Sequence, residues 1–328
     1  MEQTLGFDAT NVMMLILDEA DRLLDMGFSR QLDSIIEYLP LSGARQTMLF
    51  SATQTKSVKD LARLSLQNPE YLAVHAKDEH LTPKQLVQNY IVCGLQDKLN
   101  VLYSFIKSHL KSKIIVFFST CSQVRFVYDL FCGMQPGMPM TSLHGKIKQE
   151  KRTLVYMEYL RKDSACLLAT DIAARGLDFP NVDWVIQVDA PEDHAMYVHR
   201  VGRTARYNAN GRSLMLVTPT EESVVIPNLT SVGIPIQKLS VNPKSAMNVT
   251  SAAGAITAAR PECRLLAKKA FSSYLRSLQM LPNSKMRVHD FSTLPLDAYA
   301  ISLGLPFTPT LPVTTTTGTV GGTTTTED

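Results

Sequence analysis

Several short stretches of this 328-residue chain carry residue types at spacings suited to chemistry on phosphate groups. Asp18-Glu19-Ala20-Asp21 follows directly on the apolar run at 12–17. In open α/β sheets ligands sit outside the carboxyl ends of the strands, so acids at that point are placed for work. An Asp there can hold Mg²⁺ against nucleotide phosphates, directly or through water, and the adjacent Glu can orient or deprotonate an attacking water. The same acids would equally suit a plain helix N-terminus. In His199-Arg200-Val201-Gly202-Arg203-Thr204-Ala205-Arg206 three arginines recur at intervals of three. Guanidinium groups in such an array bind phosphoryl oxygens bidentately and stabilise the charge that develops in phosphoryl transfer. A solvated basic helix face is the plainer alternative, although Tyr197 and Val198 lead into the run from an apolar side.

Three further stretches gain weight in combination. Ser51-Ala52-Thr53 follows a second apolar run, Met48-Leu49-Phe50, and its hydroxyls either cap a helix or contact the acidic turn. Leu167-Leu168-Ala169-Thr170-Asp171 reads as a strand ending in a polar turn, with Gly176 and Asp178 beyond it. Backbone N–H groups and a Thr at a helix start make a ready phosphate site, and Asp178 could accept from ribose hydroxyls; a structural cap at Thr170 or Asp171 is the alternative. Leu143-His144-Gly145 and Gln149-x-x-Arg152, flanked by Lys146, Lys148 and Lys151, suit a nucleic-acid backbone or an ordinary charged helix.

These residues need a scaffold, and the hydrophobic pattern outlines one. The run at 12–17 reads as a strand buried on both faces, as in parallel sheets. A helix is expected from Thr55 to Leu66, stopped by Asn68-Pro69, and a polar linker at 75–85. Beyond the linker the expected order is helix 97–109, strand 114–118, helix 121–132, strand 140–143, helix 149–161, strand 165–169, a helix starting at 171, strand 184–188, helix 193–200 and strand 213–217. Strands alternating with helices at this spacing imply βαβ units, a mostly parallel sheet with helices on both faces. Residues 241–260 show little periodicity, a helix is expected from Cys263 to Leu278, and 313–328 is Thr-rich low-complexity sequence expected to be unstructured.

Composition narrows the classes. Hydrophobic residues make 45% and charged residues 19%, enough apolar material for a core. Five cysteines without a CxxC spacing suggest neither a disulfide framework nor a zinc site. No apolar run reaches the ~18 residues of a membrane span, and the start lacks the basic and apolar regions of a signal peptide. A net charge of +3 permits an anionic partner without demanding one.

Taken together and in this order, Asp-Glu-Ala-Asp, Ser-Ala-Thr, Ala-Thr-Asp-Ile-Ala-Ala-Arg-Gly-Leu-Asp and His-Arg-Val-Gly-Arg-Thr-Ala-Arg resemble the DEAD-box RNA helicases, whose two RecA-like lobes close on ATP and single-stranded RNA. The resemblance runs to about residue 243. It implies 1–74 as part of the first lobe, 75–85 as linker, 86–243 as a complete second lobe, 244–308 as a small helical module and 309–328 as a disordered tail. By the same resemblance Asp18 coordinates Mg²⁺, through water, and Glu19 activates water. Asp21 and His199 link the acidic turn to the opposite lobe, while Ser51 and Thr53 couple the nucleotide state to unwinding. Arg203 and Arg206 are arginine fingers on the γ-phosphate of ATP, and Asp178 meets the ribose. Thr170, Gly145, Gln149, Arg152 and Arg200 touch RNA phosphates or support those contacts. The segments at 54–66, 88–92 and 272–305 are similar to nucleolar members of ribosome biogenesis. They imply pre-rRNA of the small subunit as substrate, ribosome-assembly proteins as partners, a monomer, and a nuclear, nucleolar location without membrane attachment.

One departure stands out. The family's first lobe carries a G-x-x-x-x-G-K-[ST] phosphate loop, and the one Gly-Lys pair here, Gly145-Lys146, is followed by Ile147. Without that loop nothing cradles the β- and γ-phosphates. The resemblance therefore implies a helicase sequence whose front lies upstream of Met1. The alternative is a catalytically inactive RNA-binding or assembly module built on the second lobe. A DNA helicase of the same superfamily is a third reading, against which the Asp-Glu-Ala-Asp and Ser-Ala-Thr pairing counts. The 328-residue chain is expected to show no RNA-stimulated ATP hydrolysis, since Glu19 and the arginines would have no anchored nucleotide to act on. A phosphate-release assay with and without single-stranded RNA checks this, and release above background would require a different phosphate cradle.

Overall fold

The computed structural model describes residues 6–20, 23, 28–41, 43–51, 66, 68–72, 81–171, 176–206, 210–240, 247–279 and 294–310. The chain divides into two units, Met1–Asp78 and Glu79–Asp328. Outside the described residues lie Asp21, Thr53, all but the last residue of the helix expected at 55–66, residues 75–80 of the expected linker, 172–175, 280–293 and the Thr-rich 311–328.

In the first unit β1 (Met14–Leu17) and β2 (Gln46–Leu49) pair in parallel, with Leu17 opposite Leu49. Parallel neighbours cannot be joined by a tight turn, and α1 (Ser29–Tyr38) lies in the connection between them. Leu17 and Ala20 are buried with Leu32 of that helix, and Leu15, Ile36 and Leu49 pack against them. The expectation that β1 is buried on both faces fails: Met14 and Ile16 are 49% and 55% exposed. Alternate side chains of a strand point to opposite faces. One face of β1 meets α1, and the face carrying Met14 and Ile16 is open among the described residues.

The second unit is built on seven parallel strands in the order β5-β6-β4-β7-β8-β3-β9. They are β3 (Leu86–Val92), β4 (Lys113–Phe118), β5 (Met140–Leu143), β6 (Ala165–Thr170), β7 (Trp184–Gln187), β8 (Gly211–Val217) and β9 (Gln237–Lys238). Every residue of β4 is buried, the expected state of a central strand covered on both faces. Ile114, Val116 and Phe118 face one way, in a cluster with Cys166, Leu168 and Leu216, and α2 (Lys98–Ser108) and α3 (Cys121–Met134) cover that side. Ile115 and Phe117 face the other way with Leu167 and Ala169, against Tyr159 of α4 (Gln149–Leu160). That second face continues as Met215 and Val217 under α5 (His194–Val201) and α6 (Pro219–Ser231). The expected α/β parallel sheet with helices on both faces is thus the observed architecture. A buried ion pair joins its two layers: Lys98 Nζ lies 3.2 Å from Glu221 Oε2, and the same carboxylate oxygen accepts from the Thr218 N–H at 2.8 Å, within the capping box of α6.

Three helices follow, α7 (Thr250–Ala259), α8 (Pro261–Gln279) and α9 (Leu296–Ser302). The buried positions of α8 are Cys263, Ala267, Ala270, Phe271, Tyr274, Leu275 and Leu278, one helical stripe. That stripe enters the same cluster as α2, α3 and one face of the sheet, so the C-terminal helices share the core of the second unit. The stretch read as aperiodic at 241–260 contains α7. Its buried residues, Ala253 and Thr257, are too small to stand out in a hydrophobic pattern. The turn after α9 packs closely on α7 and leaves no room for a side chain at Gly304 (φ +74°), where a Cβ would lie 2.5 Å from the Ala253 carbonyl oxygen and 2.8 Å from Thr257 Oγ1. Among the described residues no helix is long and apolar enough to cross a membrane.

Phe271 is fully buried and stacks on Tyr299 with ring centroids 5.6 Å apart. Phe271→Ala is expected to destabilise the second unit by about 3–5 kcal/mol. Denaturant titration followed by circular dichroism measures this, and the C-terminal helices should melt in the same transition as the sheet.

Candidate functional site

In the first unit the acidic turn is built at the carboxyl end of β1. Glu19 adopts φ +50°, a conformation uncommon outside glycine that concentrates at functional turns, and its N–H donates to Asp18 Oδ1 at 2.8 Å. The Phe50 N–H donates to the Leu17 carbonyl at 2.8 Å and the Ala20 N–H to the Phe50 carbonyl at 3.0 Å. These two bonds stitch the end of β2 to the acidic turn and bring Ser51 to it. Ala20 is fully buried whereas Asp18 is exposed. No larger side chain would fit at Ala20 without displacing its neighbours, and Asp18 offers the hard oxygen donors that suit Mg²⁺. No group of three or more acidic, His or Cys side chains among the described residues could hold a metal by itself.

In the second unit the strand order reverses around β4, and ligands of such sheets bind beside that reversal, at the carboxyl ends. The ends of β4, β6 and β7 carry Ser119-Thr120, Thr170-Asp171 and Asp189 there. Arg200 of α5 reaches across all three. Its Nε and one terminal nitrogen donate to the two carboxylate oxygens of Asp171 at 2.6 and 2.8 Å. The other terminal nitrogen donates to Gln187 Oε1 at 3.2 Å and to the Asp189 carbonyl at 2.8 Å, and the guanidinium lies 5.6 Å from the Phe117 ring centroid. Burial pulls its pKa down, but Asp171, Asp189 and Glu192 outweigh that and hold it above the ordinary arginine value. Arg200, expected among the groups that touch or support RNA phosphates, is 2% exposed. It is an internal brace and does not reach the surface. The physical reason is its position on α5, whose buried face is Met196, Tyr197, Arg200 and Val201.

The other two arginines leave the helix. Arg203 donates from Nε to the His199 carbonyl at 3.3 Å and from a terminal nitrogen to the Leu177 carbonyl at 2.7 Å. Arg206 donates from Nε to the Gly202 carbonyl at 2.8 Å and pairs with the Asp178 carboxylate. The expected fingers and the expected ribose contact are therefore one cluster. Arg203 and Arg206 line a cavity of about 280 Å³ together with Phe179, Asn181, Asp183 and Asn210. Gly202, the C-cap of α5, has an ordinary φ of −65°. The left-handed residue of the turn is Ala205, at φ +55°. His199 is half-buried in the last turn of α5.

At the β5–α4 edge Gly145 and Gln149 are exposed, and Arg152 donates to Gln149 Oε1 at 3.4 Å. Thr170 is 5% exposed, and among the described residues its hydroxyl oxygen has no hydrogen-bond partner. His144 is buried and its Nδ1 accepts from the Lys146 N–H at 3.3 Å. Gln187 and Asp189 escaped the sequence reading. They sit at or just past the carboxyl end of an apolar strand (Trp184-Val185-Ile186-Gln187-Val188-Asp189), the same signal that singled out Asp18.

Three family models match the chain: DEAD/DEAH box helicase over residues 2–61, helicase conserved C-terminal domain over 97–208, and the C-terminal extension of SPB4-like ATP-dependent rRNA helicases over 260–311. The chain is 52% identical over 309 residues to the probable ATP-dependent RNA helicase DDX10 of Gallus gallus, covering 94% of this chain and 35% of the relative. It is 50% identical over 309 residues to the ATP-dependent RNA helicase DBP4 of Yarrowia lipolytica, covering 94% and 41%. It thus spans little more than a third of the length of these curated relatives. Among solved structures, Mss116p (NTE and C-tail double deletion) bound to ssRNA and AMP-PNP superposes with a TM-score of 0.79 at 27% identity, over 93% of this chain and 62% of that one. The Dbp5 protein of S. cerevisiae bound to RNA and ADP BeF3 gives 0.64 at 25% identity, over 71% and 61%.

Burial, and the nearby cations Arg125, Lys146 and Lys151, push the His144 imidazole below its ordinary value. The folded state therefore prefers it neutral, while the unfolded chain takes up the proton near pH 6.5. Stability is full above that value and falls as the pH drops through it toward the lower folded-state value. His144→Gln should flatten the fall in melting temperature between pH 7.5 and 5.5; an unchanged slope would assign the acid sensitivity elsewhere.

Proposed function

The chain belongs to the DEAD-box helicase family, and from that premise we propose that it supplies the acidic turn and the arginine-bearing lobe of an ATP-dependent RNA helicase acting on ribosomal RNA precursors. The observation that carries this reading is the cluster of Arg203, Arg206 and Asp178, with both arginines among the residues lining one cavity. Phosphoryl-oxygen donors and a ribose acceptor are what a nucleoside triphosphate requires from this side.

ATP with Mg²⁺ would supply the γ-phosphoryl group. Asp18 would hold the metal through water, and Glu19 would orient and deprotonate the attacking water. Arg203 and Arg206 would stabilise the charge that builds on the phosphoryl oxygens. Asp178 would accept a ribose hydroxyl on its carboxylate, whose pair with Arg206 engages Oδ1 and is partly exposed. Asp21, Ser51, Thr53 and His199 would couple nucleotide and RNA. RNA would run along Gly145, Gln149, Arg152 and the Thr170 turn, which offer cationic, amide and hydroxyl groups suited to a sugar-phosphate backbone and to little sequence discrimination. Arg200 would act from inside, by holding Asp171. Pre-rRNA as the substrate draws support from the match of 260–311 to the extension of rRNA helicases; ribosome-assembly proteins as partners and action as a monomer in the nucleolus rest on the resemblance alone.

The test supplies what this sequence lacks. A first-lobe segment bearing the phosphate loop of a family member is fused upstream of residue 1, and RNA-stimulated ATP hydrolysis is measured. Activity is expected, with Arg206→Ala lowering kcat by about a hundredfold or more and Glu19→Gln doing the same. A fusion that binds RNA and ATP without hydrolysis would overturn the catalytic reading in favour of an RNA-binding module.

A further inference from the structure

The C-terminal helices do more than cover apolar surface. At the N-terminus of α3, the Ser273 hydroxyl of α8 lies 2.9 Å from the Thr120 hydroxyl. The Thr120 N–H donates to Gln123 Oε1 at 3.0 Å and the Gln123 N–H to Thr120 Oγ1 at 3.2 Å, while the single Ser273 hydroxyl proton has two acceptors within reach, Thr120 Oγ1 and the Ala270 carbonyl oxygen at 3.2 Å. Gln123 Nε2 donates to Asp189 Oδ2 at 3.0 Å, and that oxygen also accepts from the Ser119 N–H at 2.9 Å. The Asp189 carbonyl accepts from Arg200, whose other nitrogens grip Asp171. A continuous chain of hydrogen bonds thus runs from α8, through the ends of β4 and β7, to the turn after β6. Beside it, Tyr299 of α9 is buried against Phe271 and Tyr274, with ring centroids 5.6 and 5.3 Å away.

Apolar side chains would fill the same space at less desolvation cost. A buried polar chain adds a preferred orientation for every member, because each rotamer must satisfy two neighbours at once. We propose that α8, through Ser273, is a positioning element for the Thr170–Asp171 turn, setting Thr120 and Gln123, then Asp189, and through Asp189 the rotamer of Arg200 that holds Asp171. That this turn meets RNA rests on the function proposed above; that α8 orients it does not.

The test uses the 328-residue chain with Ser273→Ala and Ser273→Thr. Amide hydrogen exchange is followed in peptides from 165–171 and 194–206, and affinity is measured for a fluorescein-labelled ten-nucleotide oligouridine. Ser273→Ala should speed exchange in those two segments by about threefold or more, weaken RNA binding about three- to tenfold, and leave the rest of the sheet protected. Ser273→Thr keeps the hydroxyl and should restore both readouts. Unchanged exchange in these segments overturns the proposal. So does loosening spread evenly through the unit, whereas local loosening with unaltered RNA affinity upholds α8 as the positioning element and overturns the assignment of the turn to RNA. If the parent chain does not bind oligouridine, the reading of function fails, and exchange alone still decides whether α8 positions the turn.

Discussion

Arg200 carries a full positive charge into a region that water does not reach, and the carboxyl edge of the second unit is arranged around that fact. An unpaired charge there would be prohibitive, and removing one member of a buried pair typically costs about 3–5 kcal/mol. The offset comes from Asp171, Gln187 and Asp189, which belong to the ends of two different strands, and from the face of Phe117 on a third. Satisfying one guanidinium therefore fixes the ends of β4, β6 and β7 relative to α5. Arg203 and Arg206 leave the helix from that fixed point. One arginine of the run is immobilised inside, its side chain 1% exposed, so that another, 32% exposed, can be offered to a ligand.

The sequence does not name which of three evenly spaced arginines turns inward. The information is nonetheless present one level up, in the helix. Arg200 follows Met196 by four residues and Tyr197 by three, on the face that α5 buries, whereas Arg203 and Arg206 lie past its end. Motif spacing alone treats the three alike. The amphipathic pattern of the helix separates them. Similarly, the acidic turn was legible from its residues, but its left-handed Glu19 was not, and the tie of Leu17 and Ala20 to Phe50 depends on a partner strand some thirty residues on.

Much of the second unit was readable because its central strands are continuous apolar runs bounded by polar turns. β4, β6 and β8 are buried throughout or nearly so. Legibility failed where polarity and burial part company. β3 buries Gln88 and Asn89 inside the sheet and so reads as polar chain. α7 buries alanine and threonine, which carry little hydrophobic contrast. β1 fails in the opposite sense, apolar in sequence yet half open. Gln123 is legible as the capping-box partner of Thr120 at the start of α3, but its bond to Asp189 and the contact of Ser273 with Thr120 join residues far apart in the chain.

The strand order has a consequence for how the chain comes together. β3 is the first strand of its sheet to be synthesised, yet its neighbours are β8 and β9, the last two. Tyr90 of β3 donates to Glu222, 132 positions later. At ordinary synthesis rates β3 waits on the order of ten seconds for a partner, and pairing at such separation is intrinsically slow. A polypeptide ending anywhere between Cys93 and Asn210 leaves β3 with neither neighbour, however complete the β4–β6 half becomes. Buried Gln88 and Asn89, which hid this strand from a hydrophobicity reading, also make it a less adhesive segment during the wait.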